Sequence, residues 1–192
     1  MLDWCAEVKS SKLLKVLSMS WDKLLQPNLV LGDSVLGLTP EIIQQYELEG
    51  LVLDVDETLV PFNQAQTTAE VRSWLESLKP SLALWLVSNN LNENRIRRIA
   101  QSLEVPYLTG AGKPSRRKLR QATTAMNLPI QRVAMVGDRL FTDVLAGNRL
   151  GMFTILVEPM GSANKGKRNH LVRSCEVWLS RFLGVSLSHL EP

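Results

Sequence analysis

The stretch GLVLDVDETL, residues 50–59, decides how this chain is read. Leu51 to Val55 is a short apolar run of the kind that forms a buried strand. It ends in acid: Asp54 and Asp56 stand with one residue between them, and Glu57 and Thr58 follow. An aspartate at the end of an apolar strand is expensive to bury unless a cation compensates it. Two so close together also repel each other. The stretch asks for a positive partner.

Further along the chain the pattern returns. SLALWLVSNN (81–90), VPYL (105–108), RVAMVGD (132–138) and FTILV (153–157) each read as a strand. Between them lie helical patterns over 68–78, 92–103, 115–127 and 141–149. Thr39-Pro40-Glu41 marks an earlier helix start, a cap residue followed by proline in the first turn. Strands alternating with helices predict an α/β fold, a three-layer sandwich with a central parallel sheet. Sites in such sheets lie at the carboxyl ends of the strands. Asp54, Asp56, Ser88, Asn89 and Asp138 all fall at or just past strand ends. Asp143 follows Asp138 by five residues. Four carboxylates gathered at one edge would take a hard cation, and an all-oxygen set favours Mg2+ over zinc.

The bulk numbers narrow the class. With 192 residues the chain suits one domain with a real core. A hydrophobic content of 45% and a charged content of 21% fit a soluble globular protein. No apolar run reaches the ~18–20 residues of a membrane span. The first residues show no basic region followed by a compact apolar core, so a cytoplasmic location is expected. Cys5 and Cys175 form no CxxC pair, and His170 and His189 lie far from the acids, which argues against zinc or histidine chemistry.

DVDET at 54–58 resembles the first motif, DxDx[TV], of the haloacid dehalogenase (HAD) superfamily. LVSNN, with Ser88, resembles the second; Lys113 in GAGKPS the third; GDRLFTD at 137–143 the fourth. All four stand in the family's order over residues 51–157. Within the superfamily the chain is similar to the YqeG-type branch (subfamily IIIA), which includes phosphatidylglycerophosphate phosphatases. That likeness rests on LQPN (25–28), VSNN (87–90), GKP (112–114) and GDRLFTDVLAGNRLGMFTILVEP (137–159). Glu57 and Val55 depart from the Asn and Leu common in the branch, and leave the reacting groups intact.

The resemblance implies roles. Asp54 would attack phosphorus and carry an aspartyl-phosphate, and Asp56 would act as acid and then base. Asp54, Asp138, Asp143 and the main-chain carbonyl of Asp56 would surround Mg2+, with Asp143 alternatively orienting a water or Lys113. Lys113, Ser88 and Asn89 would bind the phosphoryl oxygens, and Thr58 would fix the loop or assist Asp56. The residue types also suit plainer uses. Ser88 and Asn89 could end a strand and cap the following helix, Lys113 could be a surface lysine, and Asp143 a helix N-terminal charge. Gly137 and Gly147 read as backbone or packing residues.

Superfamily members often carry a cap domain over the site. Here the intervals from Thr58 to Ser88 and from Ser88 to Lys113 have room only for one helix and one strand each. The expected site is open, with no large cap, and suits a phosphate on something large or surface-anchored. Residues 12–25 place Leu13, Leu17, Trp21, Leu24 and Leu25 on one helical face beside lysines. Residues 165–182 combine Lys165, Lys167, Arg168, Arg173 and Arg181 with Leu171, Trp178, Leu179 and Phe182. Either segment could lie on an anionic membrane or pack on the core. The chain divides into an N-terminal amphipathic segment (1–48), a catalytic core (49–160) and a basic C-terminal helix (161–192), all within one structural domain. Arg95, Arg97, Arg98, Arg116, Arg117 and Arg120 could steer an anionic substrate. No aromatic platform for RNA is evident, so no nucleic-acid partner is expected.

Three readings follow. The first is a phosphatase of a lipid headgroup, with phosphatidylglycerophosphate the candidate and a peripheral membrane contact implied. The second keeps the chemistry and takes a soluble nucleotide, sugar phosphate or phosphoprotein. The third is a non-catalytic phosphate-binding module. The oligomeric state is not legible.

Overall fold

The computed structural model describes residues 23–160. Residues 12–22 of the amphipathic segment over 12–25, the whole of 165–182, both cysteines and both histidines lie outside the described residues, while Leu25 at the end of the first segment is buried against Leu145.

Six strands form one sheet: β1 (Leu29–Val30), β2 (Gly50–Leu53), β3 (Ala83–Val87), β4 (Tyr107–Leu108), β5 (Val133–Gly137) and β6 (Phe153–Leu156). Their spatial order is β1-β6-β5-β2-β3-β4, and every neighbouring pair is parallel. The helices are α1 (Pro40–Gln45), α2 (Ala69–Leu78), α3 (Glu93–Leu103), α4 (Arg117–Met126) and α5 (Leu145–Leu150). The expected α/β sandwich is therefore what forms. Among the described residues, no helix is long and apolar enough to cross a membrane.

The central strands β2 and β5 are buried along their whole length, as their unbroken apolar runs require. Alternation sends Leu51, Leu53, Leu84, Leu86, Ala134 and Val136 to one face, where they meet Val71 and Leu75 of α2 and Ile96 and Ile99 of α3. Val52, Val87, Val133 and Met135 point to the other face, against Leu119 and Ala122 of α4 and Ala146 of α5. Leu29, Val35, Leu38 and Ile43 join the first of these clusters, so the described part of the N-terminal segment shares the main core.

The helix starts follow from local chemistry. The Thr68 hydroxyl accepts from the Val71 N–H (3.3 Å), and the Asn92 side chain accepts from the Arg95 N–H (3.1 Å). Asn92, not Ser88 or Asn89, caps α3.

Two elements differ from the sequence expectation. The pattern over 141–149 divides into a π-type turn, Leu140–Val144, and α5. The wider turn holds one extra residue, and Val144 N–H reaches back to Arg139 O at 3.2 Å. Edge strand β1 is not anticipated at all, because two residues carry no periodicity. Asn28 fixes it: its Oδ1 accepts from the Thr154 N–H (2.8 Å), and Thr154 Oγ1 accepts from the Asn28 N–H (3.1 Å).

Candidate active site

Strand β2 delivers Asp54 to the carboxyl edge of the sheet, where its N–H donates to Val136 O at 2.9 Å. The chain then turns sharply. Leu59 and Val60 N–H groups both return to Val55 O, and Glu57 takes a left-handed conformation (φ 65°). That turn brings the Asp56 side chain back over the edge. The Glu57 carboxylate, buried despite its charge, accepts from the Phe62 N–H at 2.7 Å and so fixes the exit of the turn.

Strand β3 is followed directly by Ser88, fully buried, whose Oγ accepts from the Asn90 N–H (3.0 Å) and lies 3.5 Å from Asp56 Oδ2. Asn89 grips the main chain of Lys113 from both ends of its amide: Oδ1 accepts from the lysine N–H at 2.7 Å, and Nδ2 donates to its carbonyl at 3.1 Å. Asn89 thus holds the lysine loop in place. Lys113 is no surface lysine, since its side chain is 1% exposed. Its Nζ donates to Asp54 Oδ1 at 2.6 Å and to Val87 O at 2.9 Å, and forms an ion pair with Asp143 Oδ1 at 2.7 Å.

Strand β5 ends at Gly137, and Asp138 follows with its Oδ1 3.4 Å from Thr58 Oγ1. The π-type turn presents Asp143 inward, where its Oδ2 accepts from the Arg139 N–H at 3.2 Å. Gly137 makes room for it: a Cβ there would sit 2.5 Å from Asp143 Oδ2. Asp54, Asp138 and Asp143 each offer one carboxylate oxygen, all within 4.8 Å of one another. The carboxylate of Asp56 is not in this group; only its main-chain carbonyl remains for the metal role expected of it.

The charge balance tests whether this cluster suits a cation. Burial, reinforced by the charges of Asp54 and Asp143, pushes Asp138 up to about 8. Burial likewise raises Asp54 to about 6, against the opposing pull of Lys113. Burial works to lower Lys113, but Asp143 and Asp54 outweigh it and leave the ammonium raised. One lysine does not neutralise three acids in so little water. An all-oxygen donor set in this state fits a hard divalent cation.

Four contributors lie beyond what the sequence pattern shows. Asn90, the last residue of VSNN, donates through Nδ2 to Asp56 Oδ2 at 2.9 Å. Arg95, in sequence one of several helix charges, pairs with Asp56 Oδ1 at 2.5 Å. Arg139 and Thr142 line the cleft with Asp54, Asp56, Asn90 and Lys113; its volume is about 330 Å³. No insertion among the described residues covers it, in line with the short intervals around Ser88.

Comparison with known proteins adds an independent line. A family model described as HAD-hydrolase-like matches residues 110–173. The chain is 34% identical over 132 residues to the "Probable phosphatase YqeG" of Bacillus subtilis, covering 68% of this chain and 76% of that protein. It is 27% identical over 144 residues to phosphatidylglycerophosphate phosphatase 1, chloroplastic, of Chlamydomonas reinhardtii, covering 70% of this chain and 54% of that one. The chain thus spans about half the length of the algal relative. Among solved structures, an uncharacterized protein from Listeria monocytogenes serotype 4b aligns with a TM-score of 0.49 at 17% identity, over 71% of this chain and 99% of that one.

Proposed function

The chain belongs to the HAD-like hydrolases as a phosphatase, and we propose that it is a Mg2+-dependent phosphomonoesterase of a lipid headgroup, with phosphatidylglycerophosphate its substrate. The observation that carries the chemistry is the meeting of Asp54, Asp138 and Asp143 at the carboxyl edge of the sheet, with Lys113 paired to Asp54 and Asp143.

In this reading an Asp54 oxygen forms a bond to phosphorus while the bond from phosphorus to the substrate oxygen breaks. Asp56 gives its proton to the departing alkoxide. The product alcohol leaves, and the phosphoryl group remains on Asp54 as an acyl phosphate. Asp56 then takes a proton from water as the water oxygen attacks phosphorus and the bond from phosphorus to Asp54 breaks, which restores the Asp54 carboxylate and the protonated Asp56 and releases inorganic phosphate. Lys113 keeps Asp54 anionic despite burial and supplies positive charge beside the transferred group. Ser88 and Asn90 hold Asp56 through Oδ2, and Thr58 steadies Asp138. Asp54, Asp138 and Asp143, with the Asp56 carbonyl, would hold Mg2+. When bound, that ion supplies Lewis-acid charge stabilisation at the phosphoryl oxygens.

The lipid assignment draws support from the likeness to the algal phosphatidylglycerophosphate phosphatase and from the uncovered cleft. It also implies contact with the cytoplasmic face of an anionic membrane. The test is phosphate release from phosphatidylglycerophosphate in mixed micelles with Mg2+, beside a panel of soluble esters and the Asp54→Asn protein. Turnover of the lipid no faster than of a generic aryl phosphate would reject the substrate and leave the phosphatase.

A further inference from the structure

Two large hydrophobic side chains stand exposed among the described residues: Phe62 at 63% and Leu91 at 87%. Both line the same cleft as Asp54 and Lys113. They reach it from different places, Phe62 from the turn after β2 and Leu91 from the loop after β3. Scattered exposed leucines need no explanation, but a pair bracketing a catalytic mouth does.

Neither protrudes from a loose loop. The Phe62 N–H is bound to the buried Glu57 carboxylate, and Arg95 donates to the preceding carbonyl of Pro61 at 3.3 Å. Leu91 sits over Gly110, where an added Cβ would lie 3.3 Å from its Cδ2. Its neighbours are committed elsewhere: Asn90 binds Asp56, and Asn92 caps α3. The residues that hold Asp56 in place therefore also hold two apolar side chains outward. Arg139 completes the rim, its side chain 47% exposed and 3.8 Å from Asp138.

We infer that Phe62 and Leu91 form a docking rim that enters the surface of an anionic bilayer, with Arg139 facing the headgroup phosphates. This rests on the lipid-headgroup reading above. The chemistry points the same way: only the phosphorylated end of the headgroup has to reach Asp54, while the two acyl chains are held by the bilayer. The chains must stay in the bilayer, so the mouth must meet its surface. Aromatic and aliphatic tips beside an arginine are the chemistry of an interfacial anchor, apolar groups below the headgroups and a cation among them.

The test compares the full-length protein with its Phe62→Ser/Leu91→Ser double variant. Three substrates are used: phosphatidylglycerophosphate in vesicles containing anionic lipid, a short-chain form of the same lipid dispersed as monomers, and an aryl phosphate. The double variant is expected to lose about tenfold or more in vesicle co-sedimentation and in vesicle turnover, and to stay within about twofold on the monomeric substrates. Leu91→Trp should strengthen vesicle binding, and added salt should weaken it. Equal vesicle turnover by wild type and double variant overturns the rim while leaving the lipid substrate intact. Equal loss on the short-chain monomer overturns it in favour of direct contact with the substrate. A wild-type dimer that the double variant breaks, seen by sedimentation velocity, overturns it in favour of a contact between copies. Activity on the aryl phosphate alone, with neither lipid form hydrolysed by wild type, defeats the substrate reading and the rim together.

Discussion

Arg95 Nη1 lies 2.5 Å from Asp56 Oδ1, and both side chains are largely buried, at 12% and 14% exposure. The same guanidinium donates through Nε to Gln64 O at 2.9 Å and through Nη2 to Pro61 O. One side chain at the start of α3 thereby ties down both the proposed acid–base group and the loop that follows it.

Arg95→Gln should therefore lower kcat by about ten- to a hundredfold while KM moves little, because Asp56 loses its orientation and the cleft stays open. Arg95→Lys should recover only part of this, since an ammonium cannot make the three-way fork. Steady-state kinetics of both variants decide it. A loss carried wholly by KM, or full recovery with lysine, would contradict the positioning role.

Asp54→Asn should abolish turnover, by on the order of a thousandfold or more, because an amide is a far weaker nucleophile than a carboxylate. The fold should survive, since the amide keeps the shape and removes one of three crowded acids. Circular dichroism and phosphate release measured on the same preparation check this.

Lys113→Met should cost more than activity. It leaves Asp54 and Asp143 buried without their cation, a loss of about 3–5 kcal/mol for a broken buried pair. Added Mg2+ should restore part of the melting temperature but not the turnover. An unchanged melting temperature in chelator would show that the pair contributes nothing to stability.

The metal-free protein should lose stability as pH rises. Asp138 at about 8 and Asp54 at about 6 bind protons more tightly folded than unfolded, where the carboxyl stands at 3.8. Their stabilising contribution is whole below that value. It is lost as pH climbs through 6 for Asp54 and through 8 for Asp138. Mg2+ replaces the missing protons, so its stabilising effect should be larger near pH 8 than well below pH 6. Thermal melts with chelator and with Mg2+ at both pH values measure this, and Asp138→Asn should flatten the slope. A Mg2+ effect equal at the two pH values would refute the charge balance described for the site.

Gly137→Ala should disturb the cluster without touching a reacting group. Its Cβ would press on the Asp143 carboxylate and force it outward, with an overpacking cost of about 1–3 kcal/mol. Mg2+ affinity, read by titration calorimetry, should fall. Retained affinity with an unshifted melting temperature would mean that the turn relaxes freely.

Strands and helices are legible in this chain because their signals are local. Unbroken apolar runs mark β2, β3 and β5, and Thr39-Pro40-Glu41 marks the start of α1, whereas the caps at Thr68 and Asn92 emerge only from the structure. The acids at strand ends can be placed at one edge because a parallel sheet sends every strand end the same way. Neither β1 nor the π-type turn is legible. Strand β1 is too short to have a period, and the residues of the π-type turn carry the same pattern as an ordinary helix.

By itself, then, the sequence determined the α/β class and the edge to which Asp54, Ser88 and Asp138 are delivered, since period and strand polarity are properties of consecutive residues. Only the tertiary structure decided that Arg95 reaches Asp56 across 39 positions, that Asn89 serves Lys113, and that Phe62 and Leu91 meet at one mouth. Such pairings depend on how packed helices and loops are set against the sheet. Distances across that packing are fixed by the whole core and not by any local run of residues.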